Sequence, residues 1–528
     1  MPPRSQVVAG SHVADSHQPT SLGKAEITDR RAAVSLTEIA KVSLSAPDHL
    51  FIGGEWVKPS SSDQIDVINS STEEVFFRVA EANAEDMDRA VTAARVAFDR
   101  GPWPRLTHKE RADYLVKIAE ALEERAPEIG SIWAGQAGIL NSMAQASGPG
   151  HGRPFRYYAS LADEFAFEER HTPTAGGNVG LLVREAVGVV GAIIPWNGPM
   201  GLIGAKVAPA LLAGCTIILK ASPEAPGEAY VFAEVAEAIG LPAGVINVVT
   251  ADRPVSELLV RDPRVDKISF TGSTAAGRRI ASLCGERIAR VTLELGGKSA
   301  AVVLDDYDLA TAASTITGRA CLMTGQVCSS LTRIVVTRGR HDDLVEALSE
   351  SFSHVKVGSA FDSGSGMGPL AMERQRDRVE GYIAKGIEEG ATLASGGHRP
   401  SDLDRGWFIE PTVFGGVDNS STIAQEEIFG PVLSVIPADD EEHAVEIAND
   451  TIYGLNNSVF TNDVDRAYAV ARQLRSGTVG HNSFRTDFGI AFGGFKQSGL
   501  GREGGRDGLL PYLEAKTIIL EGEPAHLR

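Results

Sequence analysis

Cys328 lies in Thr324-Gly325-Gln326-Val327-Cys328-Ser329-Ser330, a small and polar setting, whereas Cys215 and Cys284 fall inside apolar patterns and Cys321 closes a helical one. A thiol acts as a nucleophile when it is accessible and its neighbours favour the thiolate. In apolar surroundings it is an inert core residue. Glu294 sits in Thr292-Leu293-Glu294-Leu295-Gly296-Gly297-Lys298, a carboxylate at the end of an apolar strand. Burial raises the pKa of such a group and suits it to work as a general base; a salt bridge to Lys298 is the alternative. Asn197, in Ile193-Ile194-Pro195-Trp196-Asn197-Gly198-Pro199, is either a turn residue or an aimed amide donor. Lys220 ends the following strand and could meet a phosphate or ribose, or simply be solvated. Glu427, in Gln425-Glu426-Glu427-Ile428-Phe429-Gly430-Pro431, reads equally as an ordinary loop acid. In Ser269-Phe270-Thr271-Gly272-Ser273-Thr274-Ala275-Ala276-Gly277 a strand turns into a helix. Glycine there lets backbone N–H groups approach a pyrophosphate at the positive helix end, although a tight strand–helix turn needs no ligand.

These residues require strands and helices in strict alternation. The uncharged run over 186–205 resumes after Lys206 and reaches Leu219, but its glycines and prolines break it into strand, loop, helix and strand, not a membrane span. Strands are expected over 187–194, 216–219, 245–249, 266–270 and 291–293, with helices over 206–215, 227–239, 255–260 and 275–284. That order predicts a parallel sheet covered by helices on both faces. An amphipathic helix over 111–125 precedes it. A second α/β series follows Leu295, with strands over 300–304 and 333–337 and helices over 309–321, 342–352, 373–389, 441–449 and 464–474. The segments 179–187 and 515–520 read as orphan strands, a type that often pairs elsewhere in an assembly.

Composition narrows the function classes. The chain has 528 residues, 43% of them hydrophobic, as in a globular protein of several domains. Its net charge of −19 disfavours nucleic-acid binding, which needs a basic face. Four cysteines exclude a disulfide framework and suit a reduced, cytoplasmic setting with no metal module. The 56 glycines exceed the usual share of about 7% by half, so many backbone turns must be tight or approach a ligand closely. Residues 1–48, without an aromatic or an apolar signal core, read as a flexible extension.

Taken together, the phrases are far more specific than any one alone. PWN at 195–197, FTGS at 270–273, LELGGK at 293–298, GQVC at 325–328, EEIFGPV at 426–432, VFT at 459–461 and GGFKQSGLGRE at 493–503 occur in this order. From about Phe51 to Leu520 the chain resembles the NAD(P)-dependent aldehyde dehydrogenase superfamily. The resemblance implies an α/β fold with a Rossmann-type nucleotide-binding domain (49–166 and 187–296), an α/β catalytic domain (297–500) and a small β oligomerisation element (167–186 and 501–528). It implies Cys328 as nucleophile, Asn197 with the Cys328 N–H as oxyanion donors, and Glu294 as the base that activates water. It further implies that NAD, with NADP as the alternative, is held by Ile193, Trp196, Lys220, Glu224, Phe270, Gly272, Ser273, Leu295, Glu427 and Phe429. The expected partners are a small apolar aldehyde and further copies of the chain, as a homodimer or homotetramer, without nucleic acid or membrane. One departure concerns the ribose site: the acid common three residues after the lysine is replaced by Pro223, and Glu224 follows one residue later. A carboxylate on the ribose 2′-hydroxyl favours NAD, so this shift bears on cofactor choice. The loop Thr250-Ala251-Asp252-Arg253 also lacks a usual glycine, and Ala491 stands where proline is common.

Overall fold

Five apolar, β-branched runs pair in parallel at the centre of an eight-stranded sheet in the computed structural model, which describes residues 42–525. In spatial order they are Arg290–Glu294, Lys267–Thr271, Val189–Ile193, Thr216–Ala221 and Ile246–Thr250. In chain order this is 5-4-1-2-3, so the chain winds to one side of its first strand and then to the other. Open α/β sheets bind ligands outside the carboxyl ends of the strands at such a switch point, here between Val189–Ile193 and Lys267–Thr271. Every residue of Thr216–Ala221 and Ile246–Thr250 is buried, as expected with helices on both faces. Each fully buried Val, Ile or Leu in these strands contributes about 1.5–3 kcal/mol.

The helix expected over 206–215 begins earlier, as Pro199–Ala213. Pro199 supplies a preset φ at the first helical position, and Gly214, at φ +99, ends the helix in a left-handed turn. The loop Thr250–Arg253, which lacks the usual glycine, instead starts a helix: Asp252 caps Arg253–Arg261 by accepting from the Val255 N–H at 3.2 Å. Leu50–Ile52 and Glu55–Val57 extend one edge of the sheet, while Gly499–Leu500 returns from beyond the second sheet to pair with Arg290–Glu294 at the other.

Only 295–298 separate Arg290–Glu294 from Ser299–Val303, the first strand of a seven-stranded sheet. That sheet runs Thr392–Ser395, Thr412–Gly415, Val432–Ala438, Leu331–Thr337, Ser299–Val303, Asn456–Phe460 and Thr478–His481, all parallel except the first pair. The carboxyl edge of the first sheet therefore feeds directly into the amino edge of the second. The two orphan strands meet each other: Val179–Ala186 lies between Glu168–His171 and Leu513–Leu520 in an antiparallel sheet of three. Of the extension expected over 1–48, residues 1–41 lie outside the described part. Within the remainder, Val42 and Leu44 pack on the core beside the first sheet, and the Ser45 N–H donates to Glu234 Oε1 at 2.6 Å. Among the described residues no helix is long and apolar enough to cross a membrane.

Candidate active site

Ile193, Lys220 and Phe270 stand side by side on three adjacent strands, at the carboxyl edge of the first sheet. The next register step pairs Thr271 with Glu294. Gly272 donates its N–H to the Glu294 carbonyl at 3.0 Å, and Ser273 caps the helix Thr274–Glu286 by accepting from the Ala276 N–H at 3.3 Å. That helix thus presents its positive end at the switch point, the arrangement that receives a pyrophosphate. Gly277 completes it: a Cβ there would fall 2.4 Å from Leu295 Cδ2, so the close packing of helix on strand requires glycine.

Lys220 is 7% exposed, and burial lowers its pKa to about 8. Glu224 is tied down nearby, accepting hydrogen bonds from Ser222 Oγ and from the Arg374 guanidinium. Across the cleft the loop that leads into the strand Val432–Ala438 of the second sheet carries Glu427 and Phe429. Gln375 Nε2 donates to the Phe429 carbonyl at 2.8 Å, fixing that residue in a left-handed conformation at φ +62. The Phe429 ring meets Trp196 edge-on, with centroids 5.4 Å apart. Glu427 Oε1 accepts from the Gly297 N–H at 3.2 Å, and burial raises its pKa to about 7.

Cys328 is half-buried, in the turn between the short helical segment Leu322–Gly325 and the strand Leu331–Thr337. Its approach is strained. Met323, Thr324 and Gly325 have φ of +51, +56 and +71, and two of these are not glycine. Hydrogen bonds hold the segment in place. Asn197 Nδ2 donates to the Gln326 carbonyl at 2.9 Å, Gln326 Oε1 accepts from the Ala371 N–H at 2.9 Å, and Asn456 Nδ2 donates to the Ser329 carbonyl at 3.3 Å. The Asn197 carbonyl is itself fixed by Trp133 Nε1 at 2.9 Å. A primary amide has two N–H donors, so the bond to Gln326 orients Asn197 and leaves one donor unspent.

Glu294 is 2% exposed, and neither carboxylate oxygen has a hydrogen-bond partner in the protein. The salt bridge to Lys298 is not formed: Lys298 Nζ is also buried without a partner, and burial together with Arg333 lowers its pKa to about 7. Burial, reinforced by the Glu503 carboxylate, holds the pKa of Glu294 well above the ordinary value, while Lys206 and Arg502 oppose the shift. Burial first, then Glu427 and Glu294, push the Cys328 thiol up to about 12. Gly296 and Gly297 pin these parts together: a Cβ on the first would lie 2.3 Å from Glu427 Oε2, and on the second 2.4 Å from the Cys328 carbonyl. The cleft thus brings together a thiol, an amide donor and a proton-binding carboxylate beside a nucleotide-type crevice.

Beneath Glu294 lies a buried polar layer to which the motifs assign no role. Lys206 Nζ contacts Glu503 Oε1 at 2.5 Å, and both side chains are buried. Tyr512 Oη donates to Ser269 Oγ at 3.1 Å, and Lys267 Nζ to Thr292 Oγ1 at 2.6 Å. The signal was present: a lone lysine within the long uncharged run must find a buried partner. Gln326 works through both its side chain and its backbone carbonyl, and residue type does not announce the second.

Known proteins resemble the chain over most of its length. The model of the aldehyde dehydrogenase family matches residues 56–518. A geranial dehydrogenase of Castellaniella defragrans is 46% identical over 475 residues, covering 90% of this chain and 99% of the relative. A solved Mycobacterium tuberculosis aldehyde dehydrogenase complexed with NAD+ is 46% identical and superposes with a TM-score of 0.87, over 90% of this chain and 98% of that one. Aldehyde dehydrogenase C of Pseudomonas syringae, solved as a cysteine-to-alanine mutant with NAD+ and octanal, is 38% identical with a TM-score of 0.87, over 92% and 99%.

Proposed function

The chain belongs to the aldehyde dehydrogenase family, and from that premise we propose that it oxidises an aldehyde to the carboxylic acid with NAD as acceptor. The observation that carries this reading is the meeting of Cys328, Asn197 and Glu294 at the switch point of a nucleotide-type sheet. The Cys328 sulfur adds to the aldehyde carbonyl, giving a thiohemiacetal. Asn197 and the Cys328 N–H receive the oxyanion, and loss of one such donor typically costs about 10²–10³ in rate. Departure of hydride from the carbonyl carbon leaves a thioester on Cys328. Glu294 takes a proton from water, the hydroxide attacks the thioester, and the acid leaves with return of the thiol; general-base assistance of this kind is worth about 10²–10⁴.

The helix end at Ser273, the glycine turn at Gly272, the buried Lys220 and the half-buried Glu427 fit a dinucleotide. Ile193, Trp196, Phe270, Leu295 and Phe429 supply apolar walls, and Glu224 borders the ribose end. When bound, NAD supplies the hydride acceptor and, as a cation near the thiol, electrostatic support for the thiolate. The substrate is an apolar aldehyde. Added Cβ atoms at Gly198 and Gly201 would meet nothing within 4 Å, so the helix start beside Asn197 leaves room, and Phe488 and Ile490 are exposed on the 484–492 loop. The relatives named for geranial and solved with octanal support the same class. The strand Leu513–Leu520 is an exposed edge suited to pairing in a homodimer or homotetramer, and the four unpaired thiols suit the cytoplasm.

Product analysis tests the reaction. Incubation with NAD and aldehydes of graded chain length should yield NADH and carboxylic acid in equal amounts, with no requirement for coenzyme A and no turnover by Cys328→Ala, which still binds NAD. An acyl-coenzyme A product would replace hydrolysis by acyl transfer, and near-normal turnover by Cys328→Ala would move the nucleophile elsewhere.

A further inference from the structure

Two helices of the first domain begin without a side chain of their own to cap them. Pro199–Ala213 follows Gly198 and Gly227–Ala238 follows Pro226, and neither preceding residue supplies a side-chain acceptor. The first N–H groups of a helix have no partner within it, and buried ones must be met from outside. One pair of side chains meets both. Glu228 Oε1 accepts from the Met200 N–H at 3.3 Å, and Gln136 Oε1 accepts from the Gly227 N–H at 3.1 Å. The two are joined by Gln136 Nε2, which donates to Glu228 Oε2 at 3.1 Å. Because Pro199 has no N–H, Met200 carries the first donor of its helix. Glu228 and Gln136 are each 1% exposed. Burial raises the pKa of Glu228 to about 8 while both of its hydrogen bonds oppose the shift, and as acid or carboxylate the group accepts.

The position of Met200 gives this buried pair its significance, because Asn197 lies just before it in the chain. Between them Gly198 has no side chain to pack, and a Cβ there would meet nothing within 4 Å. The turn is instead held at both ends by one helix, Ala126–Ala137. Trp133 Nε1 donates to the Asn197 carbonyl at 2.9 Å. Gln136, one turn later on the same face, reaches Met200 through Glu228. Gly227 permits that close approach: a Cβ there would fall 2.6 Å from Ile132 Cγ2 and 3.1 Å from Gln136 Oε1.

We propose that Glu228 is a positioning residue for Asn197: with Gln136 it fixes the start of the helix so that the unspent amide N–H of Asn197 faces the oxyanion. The proposal rests on the reading of Asn197 as an oxyanion donor given above. The rate of NADH formation in a single turnover, measured on the full-length protein with saturating NAD and aldehyde, tests it. Glu228→Met keeps length and bulk but removes both acceptors. It should slow the burst about ten-fold or more, up to the roughly 10²–10³ of losing the donor outright, with NAD affinity by fluorescence titration unchanged. In an Asn197→Ala background the same substitution should change the rate by less than about two-fold, since one residue acts through the other. Gln136→Glu combined with Glu228→Gln re-forms all three hydrogen bonds with the roles reversed, and should keep the burst within about three-fold of the wild type. Should Glu228→Met not fold, Glu228→Gln alone takes its place: two facing amides cannot satisfy all three bonds, so the burst should slow and the paired exchange should reverse it. Equal slowing in both backgrounds overturns the proposal and leaves Glu228 a purely structural role. An undiminished burst in the single variant, or a folded exchange variant that stays slow, also overturns it. A normal burst in Asn197→Ala itself would remove the oxyanion role of Asn197, and the proposal with it.

Discussion

Replacement of Glu294 by glutamine separates the two halves of the proposed reaction. The side chain keeps its shape, and because neither carboxylate oxygen is hydrogen-bonded, the amide breaks no bond within the protein. What disappears is the ability to take a proton from water. Hydride departure does not need that proton, so Glu294→Gln should release about one equivalent of NADH per site in a rapid-mixing experiment and then stall at the thioester. Steady-state kcat should fall by about 10²–10⁴, equivalent to about 2.7–5.5 kcal/mol at 1.36 kcal/mol per decade. Stability gives an independent readout. Since the folded-state pKa of Glu294 is raised by burial and by Glu503, the folded protein holds this proton more tightly than the unfolded chain. The contribution is fully present below the ordinary carboxylate value of 4.5 and is lost as pH rises through the folded value. Relative to Glu294→Gln, the wild type should therefore lose up to about 1.4 kcal/mol per pH unit across that window, seen as a difference in Tm that widens with pH. Absence of a burst would show that Glu294 acts before hydride departure. A Tm difference independent of pH would show that its carboxylate is not held protonated by the fold.

Gly325→Ala places a Cβ 2.3 Å from the Gly430 carbonyl carbon at φ +71. It should displace the nucleophile loop and lower kcat about 10²-fold with little change in NAD affinity by fluorescence titration; a normal kcat would show that the loop tolerates the shift. Cofactor choice should depend on Arg374, which together with Ser222 occupies the Glu224 carboxylate. Arg374→Ala frees that carboxylate to meet the ribose, so NADPH should lose about ten-fold more affinity than NADH, and an unchanged ratio in direct binding would remove Glu224 from the selection.

Much of the site is legible in sequence because its backbone demands are written in glycine. Gly272, Gly277, Gly296 and Gly297 each stand where a methyl group would collide with a neighbour. The central strands are equally plain, since burial on both faces leaves unbroken apolar runs such as Thr216–Ala221. Other elements are quieter. The helix Ala84–Arg100 is marked by its capping box, Asn83 with Asp86, and by a stripe of mostly small residues from Met87 to Ala97, and the strand Asn456–Phe460 opens with three polar residues that are buried by the fold. The Glu294–Lys298 pairing, plausible at a spacing of four, fails because the strand ends between them and the chain crosses to the second sheet. Glu503 lies far along the chain from Lys206, and no local pattern ties the two; only the return of 499–500 to the first sheet brings them together.

The crossing at 295–298 sets a limit on motion. Gly296 touches the loop of Glu427 and Gly297 touches the backbone of Cys328, each with less clearance than a methyl group, and Glu427 closes the seam by accepting from Gly297. A hinge between the two sheets would have to tear those contacts at the point where thiol and base must stay aligned. Opening and closing between the two sheets is thereby restrained, and the freedom that remains near them lies in side chains and in the 484–492 loop, where Phe488 and Ile490 are exposed.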